Sequence, residues 1–190
     1  MVLENNGREV IDACQRGDYD AFAALFEANR DKVYSIALRY SGNEAAAMDI
    51  AQDTFLKLLS RIRDFRGNSH FDTWLYRLVV NSCLDHQRSR KRWMPLVGDL
   101  LDLFRSPSGT ALEDLLRAEM QRHVQDGVGK LPPEQRIVVI LRYTEGLSYD
   151  QIAEIVGCSA GTVASRLNRA HRVLERRLAH LRGARGGNRE

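Results

Sequence analysis

Apolar residues step along this chain at intervals of three and four, and no convincing stretch alternates with a period of two. Phe22, Leu25 and Phe26 are followed by Val33, Ile36, Ala37 and Tyr40, a row that a 3.6-residue repeat turns to one side. A chain patterned in this way is all-α. Its 190 residues suffice for one large domain or two small ones, and punctuation decides between them. Between Trp93 and about Glu113 the periodicity decays among Pro95, Gly98, Pro107, Ser108 and Gly109, the composition of a linker. The pattern predicts two small helical domains, residues 1–92 and 114–182, joined by a flexible linker over 93–113 and followed by a loose tail over 183–190.

Local signals place the helices. "SGN" at 41–43 interrupts the first apolar row, and a helix then runs from about residue 45 to about Ile62. Met48, Ala51, Phe55, Leu58, Leu59 and Ile62 form its apolar face, while Asp49, Gln52 and Asp53 share one turn of the opposite surface. "RDFRGNSH" (63–70) reads as a loop, with Ser69 and Asp72 resembling a capping box for the helix that follows. On that helix Leu75, Leu78 and Ser82 face inward. Thr73, Arg77, Asn81 and Arg88 make a polar stripe, and Arg90, Lys91 and Arg92 close it. Aromatics near a basic surface suit single-stranded nucleic acid, since bases stack and phosphates pair; Trp74, at helical spacing, is expected to be core.

The second domain is punctuated more sharply. Pro132 and Pro133 suit a helix start. Ser148 and Gln151 form an S-x-x-Q capping box, Gly157 stands where a left-handed residue would end the short helix, and Ser159 can cap the next. The short helix turns Ile152, Ala153 and Val156 inward, and the longer one Val163, Leu167, Ala170 and Leu174. Two helices joined by a glycine turn are the helix-turn-helix pattern. Thr162, Ser165, Arg166, Asn168, Arg169 and Arg172 lie off the apolar face of the second helix, where they reach base edges and phosphates. Arg176, Arg177, Arg182 and Arg185 extend the basic run and favour nucleic acid over an ordinary bundle helix.

Other classes find little support. No apolar run approaches the ~20 residues that span a bilayer, and the N-terminus lacks the basic-then-apolar layout of a secretion signal. Cys14, Cys83 and Cys158 have no paired spacing, so neither a disulfide framework nor a zinc knuckle is expected. The five histidines form no ligand spacing, and there is no nucleophile motif or phosphate-cradling glycine loop. A cytoplasmic, non-enzymatic protein without metal or cofactor is the reading. A stand-alone helix-turn-helix regulator would account for the second domain but would leave the acidic patch and the loop aromatics idle.

The stretches "AAAMDIAQDTFLKLL", "FRGNSHFDTWLYRLVVNSCLD" and "LPPEQRIVVILRYTEGLSYDQIAEIVGCSAGTVASRL" resemble the extracytoplasmic-function group of bacterial RNA polymerase sigma factors. The resemblance covers about residues 15–182, in the family's order and with its linker. It implies that Asp49, Gln52 and Asp53 grip the clamp helices of the largest subunit of core RNA polymerase. It implies that Phe65, Arg66, Tyr76 and Asn81, with Arg77 and Arg88 of the polar stripe, melt the promoter and capture its unpaired downstream element. Ser165, Arg166, Asn168 and Arg169 match the helix that reads the upstream element in duplex DNA, with Thr162, Ala164 and Arg172 beside them. Ala164 and His171 stand where the family usually has basic residues. An anti-sigma factor is a further partner the resemblance implies.

Overall fold

In a computed structural model of the chain the described residues are 3–93 and 122–179, with side chains described over 8–89 and 122–179. Among them every regular element is helical. The first bundle holds α1 (Leu3–Arg16), α2 (Tyr19–Ser41), α3 (Glu44–Arg61), a 3-10 turn (Ile62–Asp64) and α4 (Phe71–Trp93). The second holds helical residues 122–129 (α5), α6 (Pro133–Tyr143), α7 (Tyr149–Val156) and α8 (Ala160–Arg177). The linker over 93–113 lies outside the described residues apart from Trp93, which still belongs to α4; so do residues 114–121 and the tail over 183–190.

Short polar residues set the boundaries. The Asp18 side chain accepts from the Ala21 amide at the start of α2, and Asn43 does the same for Ala46 at the start of α3, each at 3.0 Å. Each satisfies an amide that the first helical turn leaves unpaired. Between them Gly42 takes φ 68° and returns its amide to the Leu38 carbonyl, a left-handed stop that favours glycine. Pro132 and Pro133 begin α6, as expected. The expected capping pair at Ser69 and Asp72 is not formed. The helix starts at Phe71 with His70 before it, and Asp72 pairs instead with Lys32 across the bundle.

The core of the first bundle is built from the α2 row Val33, Ile36, Ala37 and Tyr40 against Ile50 and Leu58 of α3 and Leu75, Val79 and Cys83 of α4. Helix α1 adds Ile11 and Cys14, which precede the apolar row that begins at Phe22. In the second bundle Ile137, Leu141, Ile152, Val163, Leu167 and Ala170 are buried together. Each such aliphatic side chain contributes ~1.5–3 kcal/mol. Two members of the expected α3 face are turned outward: Met48 is 61% exposed and Leu59 51%. The inward side of α3 runs through Ala47, Ile50, Thr54, Phe55 and Leu58, so Met48 and Leu59 lie beyond the edge of that stripe.

The bundles pack directly on one another, and their buried side chains form one continuous cluster. They meet along α4 and α7 and again at the C-terminal end of α2, where helical carbonyls lack partners within the helix. Gln125 of α5 donates to the Arg39 carbonyl at 2.7 Å and reaches the Leu38 carbonyl at 3.4 Å. Arg136 of α6, only 7% exposed, donates to the Tyr40 carbonyl at 2.9 Å and stacks over the Tyr40 ring. The same guanidinium also serves the carbonyls of Gly129 and Leu131. A cation here also complements the negative end of α2.

Candidate nucleic-acid interface

The α7–α8 unit forms as its sequence signals require. The Ser148 hydroxyl accepts from the Gln151 amide at 3.2 Å while the Gln151 side chain accepts from the Ser148 amide at 2.8 Å. Gly157, at φ 72°, ends α7 in the left-handed region, and Ser159 caps α8 through the Thr162 amide at 3.1 Å. Val163, Leu167 and Ala170 seat α8 on its own bundle. Ser165, Asn168, Arg169 and Arg172 remain exposed on its outer side, with no carboxylate in the first turn. A basic helix projecting from a rigid two-helix corner has the geometry for a major groove.

Two of the expected readers of α8 are occupied. Thr162 shares a hydrogen bond with the Ser159 hydroxyl at 2.9 Å, which places it in the cap. Arg166 has a side chain 20% exposed and lies 2.6 Å from the Glu134 carboxylate at the head of α6. Its other amine approaches the Cys158 sulfur at 3.8 Å. In this arrangement Arg166 braces the head of α8 against α6 rather than projecting with Arg169. Its position off the apolar face gave no sign of this, because the partner comes from another helix. Ala164 is half-buried, and His171 is exposed and joined to the Tyr143 hydroxyl at 2.7 Å.

In the first bundle, loop residues 65–70 are fixed by aromatic packing. Phe65 meets Phe71 edge-on at 5.8 Å and Trp74 at 5.3 Å between ring centroids. Trp74 is thus half-buried in a small cluster, as expected of a core aromatic. The Gln15 amide of α1 holds the loop from behind, donating to the carbonyls of Phe65 (2.7 Å) and Ile62 (3.0 Å). Arg66 and Asn81 are exposed. Tyr76 and Arg77, also expected on this surface, hold partners from the second bundle, and Tyr76 is buried while Arg77 stays partly exposed. The Tyr76 ring is 8% exposed, and its hydroxyl donates to the Glu145 carboxylate at 2.9 Å. Arg77 donates to the Glu154 carbonyl and carboxylate, both at 3.1 Å.

On α3, Asp49 and Gln52 are exposed, but Asp53 is not idle: its carboxylate lies 2.8 Å from Lys57. Burial pushes this carboxyl up, but hydrogen bonds from Lys57 and Ser82, with the charges of Lys57 and His86, outweigh it and hold the pKa below the ordinary value. Lys57 in turn bridges to Asp85, which pairs with Arg88, so Asp53 and Arg88 belong to one surface network. Beside this acidic turn lies an open apolar groove of about 660 Å³, lined by Phe22, Phe26, Met48, Phe55, Leu56 and Leu59 among others. The outward turn of Met48 and Leu59 is thereby explained, since they form its wall. Cys14 and Cys83 are buried, and burial pushes the Cys83 thiol up to about 12.

The first bundle and the helix-turn-helix each match a known family. The Sigma-70 region 2 pattern matches residues 25–93, and the Sigma-70, region 4 pattern matches residues 122–174. The ECF RNA polymerase sigma-E factor of Haemophilus influenzae is 36% identical over 191 residues, covering 95% of this chain and 100% of its own. Among solved structures, CnrH in complex with the cytosolic domain of CnrY has a TM-score of 0.67 at 25% identity, covering 91% of this chain and 97% of that one. The sigma factor RpoE of Bartonella quintana, in complex with the anti-sigma factor NepR, has a TM-score of 0.63 at 23% identity, covering 83% and 96%. Two sigma-70 regions in order, with a relative aligned along nearly the whole chain, mean that this protein belongs to the extracytoplasmic-function group of RNA polymerase sigma factors.

Proposed function

We propose that this sigma factor grips core RNA polymerase with the outer side of α3 and reads promoter DNA with two separate surfaces. The observation that carries this reading is the division of labour on the exposed surface. An acidic turn (Asp49, Gln52) beside an open apolar groove suits a protein helix, and the outer row of α8 suits a duplex. An amphipathic helix laid in such a groove buries apolar area while the flanking carboxylates set its register. Arg169 and Arg172 supply phosphate and base contacts, Ser165 and Asn168 shorter-range hydrogen bonds.

The loop at 65–70 with Arg66 and Asn81 is the surface for the unpaired strand. Extruding a base costs a few kcal/mol, and a site that accepts only the extruded base offsets that cost and drives opening. Tyr76 and Arg77 join this surface once the second bundle moves off them. The protein works in the cytoplasm, where polymerase and DNA are, and an anti-sigma factor restrains it by covering the α3 groove. No helix among the described residues is long and apolar enough to cross a membrane.

The test is transcription by purified core polymerase plus this chain on a library of genomic fragments, with start sites mapped. Discrete starts that disappear with Asp49→Arg and with Asn81→Ala support the reading. Starts that survive both substitutions refute the two surfaces assigned here.

A further inference from the structure

We propose that Tyr143 and His171 form a further contact to duplex DNA beside the reading row of α8, a clamp on the phosphate backbone that tightens on protonation. This rests on the reading of α8 as the helix that enters the major groove. Ala164, Asn168 and His171 follow one another at intervals of four and three, so they share one flank of α8. From Ala160 to His171 the helix rises about 16 Å. The head of such a helix reads base edges, and the groove is only ~8.5 Å deep. A residue so far back stands by the groove wall, where the phosphates are. Tyr143, the last residue of α6, reaches the same place from the other helix and is 63% exposed. Its hydroxyl lies 2.7 Å from Nε2 of the exposed His171, with the ring centroids 5.6 Å apart. Neither side chain helps to fill the core.

The pair offers different chemistry in its two protonation states. A neutral imidazole either accepts the phenol proton at Nε2 and keeps Nδ1–H, or donates from Nε2 and leaves the phenol proton unused. In both cases one donor remains for a phosphate. A protonated imidazole donates from Nε2 to the phenol oxygen, so that the phenol O–H and Nδ1–H are both available and a full positive charge is added. Hydrogen bonds from a charged donor to phosphate are the stronger ones. Histidine side chains change charge between about pH 5 and 8. Phosphate favours the charged ring, so the added binding is present at the acid end of that window and lost at its alkaline end. The charged neighbours on α8 are Arg172 and, one turn on, Glu175. On α6, Arg142 is turned to the Leu147 carbonyl and the Tyr149 ring, Glu134 to Arg166, and Arg136 to the end of α2. Helix α7 sends Glu154 to Arg77, and α5 meets α8 further along, where Gly127 lies against Leu174 and Leu178.

The experiment uses the full chain assembled with core RNA polymerase. The probe is a rhodamine-labelled duplex that carries the upstream element of a mapped start and ends before the melted region, read by anisotropy across a salt series. Relative to His171→Gln, the wild-type chain should bind about fivefold more tightly at about pH 5.5 than at about pH 8.5, the size of one exposed charge contact. Its salt dependence should be steeper by ~0.9 at the acid pH. His171→Arg should bind at the alkaline pH as the wild type does at the acid one. Tyr143→Phe should keep the steeper slope, which reports charge, and lose part of the tightening, which reports the hydroxyl. Equal pH dependence of wild type and His171→Gln overturns the proposal, as does a slope that does not change with pH. Tyr143→Phe binding like wild type at both pH values overturns the pairing. Arg169→Ala separates the two ideas: it should weaken binding at both pH values whether or not the clamp exists. Full affinity of that variant refutes the groove reading of α8, whereas binding that depends on Arg169 but not on pH overturns the clamp alone.

Discussion

Arg136 is the residue whose loss the structure allows to be priced most directly. Its guanidinium donates to the carbonyls of Tyr40, Leu131 and Gly129 and lies 5.0 Å from the Tyr40 ring centroid. Arg136→Met keeps much of the stem's volume and strips these carbonyls of their donor. Hydrogen bonds to a charged group contribute ~1.5–3 kcal/mol each, while burying a guanidinium costs several kcal/mol, which the substitution recovers. The net loss is ~3 kcal/mol. For a chain of this size each kcal/mol moves the melting temperature by ~2–4 °C, so a fall of ~6–12 °C is expected by differential scanning calorimetry. Arg136→Lys, which retains charge but not the fork that spans several carbonyls, should fall between the two. A drop below ~2 °C for Arg136→Met would mean that the end of α2 does not depend on this cation.

Further outcomes follow from the surfaces. Met48→Ser/Leu59→Ser should leave stability within ~0.5 kcal/mol of wild type, yet weaken binding to core polymerase at least tenfold; unchanged affinity in a fluorescence titration would remove the groove from that interface. Asp53 is held below the ordinary carboxylate value of 3.8, so its pairing stabilises the folded chain above about pH 4 and is lost as pH falls through the lowered value. Asp53→Asn should therefore destabilise the chain slightly at pH 7, by at most ~1 kcal/mol for so exposed a pair, and the difference in melting temperature should close as pH falls through the lowered value. Arg169→Ala should cost ~1–3 kcal/mol and relax preference at one base pair of the upstream element. Ala164→Lys should steepen the salt dependence of duplex binding by ~0.9 without adding discrimination, because a phosphate contact carries no base information.

What could be read from the chain alone was what depends on near neighbours. Ser148, Gln151, Gly157 and Ser159 lie within a few positions of the amides and turns they serve, so the caps and turn of the corner that presents α8 were legible, although Ile155 rather than Val156 completes the buried face of α7. The α2 row was legible because one repeat governs it. Met48 and Leu59 misled because an apolar side chain at helical spacing signals burial equally against a core and against a partner. Arg166, Tyr76 and Arg77 hold partners that the sequence did not announce, for a different reason. Their partners Glu134, Glu145 and Glu154 are 32, 69 and 77 positions away, and no local pattern records a contact across that separation. Arg136 left no trace at all, since a single arginine within an apolar run reads as a solvated position until the neighbouring bundle is in place.

The aromatic packing behind residues 65–70 has a consequence for how promoter preference can change. Phe65, Phe71 and Trp74, with Gln15 behind them, hold the loop's frame using groups that face the protein. The entropy of ordering the loop is therefore lost during folding, so that on the proposed reading a captured base would meet an already shaped surface. The exposed positions Arg66, Asn68 and His70 are supported by that frame but do not build it. They can be exchanged at little cost to the fold, so if the loop receives a base as proposed, drift in which base is accepted is decoupled from drift in stability. A gene duplicate of such a chain starts with a loop whose specificity is free to diverge.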